Sequence, residues 1–96
     1  MPSAHFEWDA DKDAENRRKH HISFQDAQAA FAGPRRVIAR DLAHSETEDR
    51  YFCIGQAGTG ILTVRFTWRK SVIRIIGAGY WRKGKAIYDK ENRLHE

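Results

Sequence analysis

The chain has 96 residues, 41% of them hydrophobic and 31% charged, with a net charge of +4; that length excludes more than one ordinary domain, here residues 1–96, and that balance excludes intrinsic disorder. No apolar run approaches the roughly 20 residues of a membrane span, and the first residues show neither the basic nor the apolar region of a secretory signal. A single cysteine, Cys53, excludes an internal disulfide, so the expected setting is the reducing cytoplasm.

The charge is unevenly placed. Residues 1–64 hold eight Lys/Arg against ten Asp/Glu, and residues 65–96 hold nine against three. A basic half with interleaved aromatics points to a polyanion, nucleic acid first. A merely solvated basic helix would give the same composition.

In chain order, Phe6-Glu7-Trp8 alternates and predicts a short first strand. Asp9 is a candidate N-cap, with Asp11 and Asp13 in the next turn and Arg17, Arg18 and Lys19 closing the segment. That order complements a helix dipole and predicts a helix over 10–20. Only Ala10 and Ala14 give it apolar surface, so it should lie flat on the surface, held by Trp8. Ser23 with Asp26 resembles a capping box and starts a second helix through Phe24, Ala27 and Phe31, stopped at Gly33-Pro34. The remainder reads as a β-meander: a strand at 37–39, an acidic loop at 41–49, and strands at 50–55, 61–68 and 72–78. In the third of these strands Leu62, Val64, Phe66 and Trp68 share one face, and Thr63, Arg65, Thr67 and Arg69 share the other. Sequential strands with short loops should pair antiparallel. From Trp81 to about Asn92 a basic helix is expected, weakened by Gly84. Trp8, Phe24, Phe31, Phe66 and Trp68 are the expected core, and Cys53, in an apolar run, is expected to be a buried, inert thiol.

Several segments resemble the BrnT toxin family. Phe6-Glu7-Trp8-Asp9, Asn16-Arg17-Arg18-Lys19-His20 and Ile22-Ser23-Phe24 resemble its opening. His44-Ser45-Glu46 with Glu48, Arg50 and Tyr51, then Ile54-Gly55, Phe66-Thr67-Trp68-Arg69 and Ile73-Arg74-Ile75-Ile76, follow in the family's order. The resemblance implies an α+β, RelE-like fold: an antiparallel sheet of about four strands with two N-terminal helices and a C-terminal helix. It implies a ribonuclease toxin without metal or cofactor, held in a hetero-oligomer by a BrnA-like, DNA-binding antitoxin. Many members carry an arginine where this chain reads Ile76-Gly77-Ala78-Gly79, and Arg82 or Lys83 is the candidate replacement.

Metal-free RNA cleavage turns the ribose 2′-OH on its neighbouring phosphate. It needs a proton carrier and cations around the developing phosphorane. The candidate catalytic residues are therefore His20, Arg69, Arg74 and Arg82. His20 closes a basic helix and belongs to the residue type that changes charge near neutral pH, although capping the helix would equally account for it. Arg69 is also readable as a turn residue. Lys19, Arg65, Thr67, Tyr80, Lys83 and Lys85 are the candidate RNA contacts. No Cys/His spacing suggests a metal site. The expected function is a metal-independent endoribonuclease toxin that inhibits translation and growth. The alternative is a catalytically weak protein of the same fold that binds RNA or its antitoxin.

Overall fold

The computed structural model describes residues 5–44 and 47–93. The elements run β1 (His5–Trp8), α1 (Ala10–His20), α2 (Phe24–Ala27) continuing as a 3-10 segment (Gln28–Ala32), β2 (Val37–Arg40), β3 (Arg50–Ala57), β4 (Gly60–Arg69), β5 (Val72–Gly79) and α3 (Arg82–Arg93). They form a five-stranded sheet in the order β1-β5-β4-β3-β2. The sheet is mixed and has five strands, one more than the resemblance implies, the fifth being the short first strand read from Phe6-Glu7-Trp8. β2 to β5 are the antiparallel meander, but β1 pairs parallel with β5, His5 opposite Val72 and Trp8 opposite Ile75. The antiparallel expectation applies to strands joined by short loops. β1 is separated from its partner by the whole chain between them, so it joins β5 at the edge opposite β2.

Both N-terminal caps form where the acidic and hydroxyl residues predicted them. Asp9 accepts from the Asp11 amide at 3.1 Å, and Ser23 accepts from the Asp26 amide at 3.0 Å. Between the helices His21 takes a left-handed conformation (φ 58°) and donates its amide to the Arg17 carbonyl at 3.0 Å. The turn thus keeps the geometry that usually favours glycine. The second helix differs from expectation. It is α-helical for one turn only, then tightens to 3-10 winding. There the backbone of Ala30 lies on β3 and accepts from the Cys53 thiol at 3.7 Å.

The core lies between the sheet and α2 with its 3-10 extension. Phe24, Ala27, Ala30, Leu62, Val64, Phe66 and Ile75 are buried there, and Phe31 and Phe66 meet edge-on at 5.1 Å. Burial pushes the Cys53 thiol up to about 12, which keeps it protonated and inert at neutral pH. Trp68 is the exception among the expected core residues. It is half exposed, and its ring rests edge-on against Phe66.

The other face of the sheet carries α3, which crosses β4 and β3. The helix runs through Gly84 because that residue lies directly over Thr63. A Cβ at 84 would stand 1.8 Å from the Thr63 hydroxyl, which is itself buried. Alanine is the better helix former by ~1 kcal/mol, but overpacking a well-filled contact costs about 1–3 kcal/mol. Gly84→Ala is therefore expected to shift the urea midpoint downward, and Thr63→Ala added to it to recover part of the loss. An unchanged midpoint in the single variant would show that α3 floats free of the sheet.

Candidate active site

The sheet face that bears α3 is only partly covered by it. Cross-strand partners share a face, so Glu7 on β1, Arg74 on β5, Thr67 on β4 and Arg50 on β3 form one row across the sheet. Arg65 and Arg69 flank Thr67 on β4 at alternate positions. The strand alternation predicted from sequence thus places three arginines, Arg65, Arg69 and Arg74, on one side, with Arg50 beside them.

These arginines differ in their surroundings. Arg69 is half exposed at the hairpin end and pairs with Glu48 at 3.4 Å. Arg74 lies 3.7 Å from Glu7. Arg65 is more enclosed: its Nε is buried without a hydrogen bond and stands 3.8 Å from the Asp41 carboxylate. Thr67 is not available to RNA, contrary to expectation. It is 2% exposed, and its hydroxyl donates to the Asp49 carbonyl at 2.7 Å, tying the loop before β3 to the sheet. Ser45 and Glu46 of the expected acidic segment lie outside the described residues.

A cleft of about 270 Å³ opens where α1, the far part of β5 and the start of α3 converge. Its wall includes Lys12, Glu15, Lys19 and His20 from α1, Arg65 from β4, Gly77 from β5, and Trp81, so the basic groups outnumber the one carboxylate among them. His20 is exposed and meets the Trp81 ring edge-on, centroids 5.3 Å apart. Lys19 donates to Glu15 at 2.7 Å, and this contact holds the Glu15 carboxyl below its ordinary range. Of the sequence candidates, the structure brings Lys19, His20 and Arg65 together here.

It disperses others. Tyr80 leans on the β3–β4 hairpin, with its hydroxyl donating to the Ala57 carbonyl at 3.1 Å. Lys85 is exposed on α3 and paired with Asp89 at 2.7 Å. Arg82 is exposed in the first turn of α3, and Lys83 reaches a separate cavity beneath that helix. Arg69 and Arg74 lie along the sheet face rather than in the cleft wall.

Two features of the cleft arise from contacts between distant segments. Asn16, which in the sequence is only one position of the Asn16-Arg17-Arg18-Lys19-His20 motif, is buried and makes three hydrogen bonds. It donates to the Ile22 carbonyl at 2.9 Å and to the Ala78 carbonyl at 3.0 Å, and accepts from the Ala78 amide at 3.1 Å. This amide clamps α1 against β5 and so fixes one cleft wall. An Asn in a helix with almost no apolar face was the available signal, since such a helix needs another means of attachment. The second feature is Trp81. A Cβ built on Gly79 would stand 2.5 Å from its indole, so the tryptophan fills the space into which a side chain at 79 would project. An arginine restored at 79 would have to displace it.

Among the described residues no three His, Cys, Asp or Glu side chains gather as a metal site, and no helix is long and apolar enough to cross a membrane. No curated protein matches the chain. The family model for BrnT, the ribonuclease toxin of type II toxin-antitoxin systems, matches residues 8–84, which include α1, all of β2 to β5, and the cleft residues named above. The chain belongs to the BrnT family of ribonuclease toxins.

Proposed function

We propose that this chain is a metal-independent endoribonuclease whose active centre is the cleft between α1 and α3. The observation that carries the reading is the convergence of Lys12, Lys19 and His20 with Arg65, which lies more than forty residues further along the chain. In the reaction the 2′-oxygen attacks the adjacent phosphorus and the bond to the 5′-oxygen breaks. The 2′-OH loses a proton and the leaving oxygen gains one. Arg65 suits the phosphate, because its fork donates to two oxygens at once. His20 is the proton carrier, placed at the cleft mouth against Trp81. Lys12 and Lys19 add positive potential. Arg74 and Arg69 continue the cationic track along the sheet and would hold the flanking RNA backbone, and Arg82, exposed in the first turn of α3, and Lys83, at the cavity beneath that helix, add charge on the α3 side. Arg65 supplies inside the cleft the charge that the glycine at 79 does not.

A cognate antitoxin, BrnA-like and DNA-binding, would silence the enzyme in a hetero-oligomer, and release would stop translation and growth in the cytoplasm. The test is incubation of the antitoxin-free protein with single-stranded RNA in excess EDTA. The expected products end in 2′,3′-cyclic phosphate and disappear in His20→Ala. RNA that is bound but left intact would favour a binding protein without cleavage, the reading to which Trp81 above Gly79 lends support.

A further inference from the structure

A second cavity, of about 300 Å³, lies between α3 and the sheet. Its wall is almost wholly apolar and includes Phe52 and Ile54 of β3, Ile87 of α3, and Trp81. Arg65 and Trp81 line both this cavity and the basic cleft. The two spaces therefore share one boundary, with a cationic compartment on one side and an aromatic, apolar compartment on the other. Lys83 stands at the apolar compartment as well.

From this adjacency we infer that the apolar cavity is a nucleobase pocket, which selects the base next to the phosphate held in the cleft. The inference rests on the proposed ribonuclease reading for its substrate class. A free anion would use only the cleft. A purely aliphatic group would make no use of the positive charge that Arg65 and Lys83 bring to the wall. A nucleotide joins a flat, weakly polar ring to an anion across one sugar, and these two compartments offer that pairing. The size agrees, since small-molecule sites begin at about 300 Å³. The walls agree too: an indole and a phenyl ring give stacking surface, and a guanidinium packs on a base plane as readily as on an aromatic one.

The test is calorimetric titration of the full chain with the four nucleoside 3′-monophosphates and, separately, with inorganic phosphate. At least one nucleotide should bind tenfold or more tightly than phosphate, and the four should differ among themselves. Ile87→Trp fills the cavity from α3, and Phe52→Leu removes an aromatic wall while keeping it apolar. Each should bring the best nucleotide down toward the affinity of phosphate, with circular dichroism and the melting temperature reporting that the variant is folded. Four nucleotides that bind no tighter than phosphate would overturn the proposal. So would an excess affinity that survives in both folded variants. Failure on the nucleotides combined with loss of antitoxin binding in Ile87→Trp would assign the cavity to a protein anchor instead, and also overturns it. Cleavage in EDTA, read in parallel, separates the two ideas. Cleavage without nucleotide preference removes the pocket alone, whereas a bound nucleotide with uncut RNA removes the ribonuclease reading alone.

Discussion

Arg65→Ala is expected to slow single-turnover cleavage of a labelled oligoribonucleotide by about 10²–10³-fold, the loss typical when one preorganised donor to a developing oxyanion is removed. Arg65 is the arginine that lines the cleft together with His20. Its neighbours on the same sheet face are tied to Glu48 and Glu7, at 3.4 and 3.7 Å. Smaller losses are expected for Arg69→Ala and Arg74→Ala, since contacts to flanking phosphates change binding more than the chemical step. Arg65 also faces Asp41, which is 4% exposed, so truncation disturbs a partly enclosed ion pair as well as the cleft. Two further variants separate these effects. Arg65→Lys keeps the charge and loses the fork, and should retain part of the activity. Arg65→Ala with Asp41→Asn removes both charges, and should restore stability without restoring cleavage. If Arg65→Ala cleaves normally while Arg69→Ala or Arg74→Ala does not, the reaction centre lies toward the β4–β5 hairpin end, and the cleft is not where phosphate reacts.

Asn16→Ala should destabilise the fold by about 3–5 kcal/mol, because each buried polar group left without a partner costs about 1–3 kcal/mol. Three groups lose their partner: the Ala78 amide, the Ala78 carbonyl and the Ile22 carbonyl. β1 covers β5 only from Val72 to Ile75, so the edge of β5 beyond that point has no strand beside it on this side. The Asn16 amide stands in for that strand, matching the Ala78 backbone with one donor and one acceptor. For a domain of this size each kcal/mol moves the melting temperature by about 4–8 °C, so a fall of more than about 10 °C is expected in a thermal melt. Asn16→Asp keeps an acceptor for the Ala78 amide but loses both donated bonds, and should also melt early. A shift within about 2 °C for Asn16→Ala, on the same size scaling, would mean that water replaces the amide and that α1 is held by other contacts. Because Asn16 also forms part of the cleft wall, cleavage should fall at temperatures where the folded fraction is still complete.

The two results bear on one another. Arg65 reaches the cleft from the sheet, and His20 and Lys19 reach it from α1. α1 has no apolar stripe, and its buried residue is Asn16. Its position against β5 is therefore set by polar matching, which loosens when a single amide is removed. The aspartate at 13 contributes to the same layout, accepting from the Phe24 amide at 2.8 Å and so joining α1 to the start of α2.

What depends on neighbours along the chain is legible in the order of residues. Asp9 and Ser23 marked two helix starts, the acidic-to-basic order marked α1, and the alternation of Leu62, Val64 and Phe66 against Thr63, Arg65 and Thr67 assigned the faces of β4. Capping and periodicity act over a few residues, so they are readable without a fold. The motifs from Phe6 to Ile76 likewise carried the family. The rest follows from contacts between segments far apart in the chain. The tertiary structure placed β1 parallel beside β5, buried Thr67 under the loop at Asp49, left Trp68 half exposed, and turned Asn16 into the clamp of a sheet edge. It also divided the candidate cations between a cleft and an open sheet face, and set Trp81 over Gly79 where it forms a wall of two compartments. Each of these depends on which distant segments pair and in what register, and a side chain's exposure or partner is fixed only once that pairing exists.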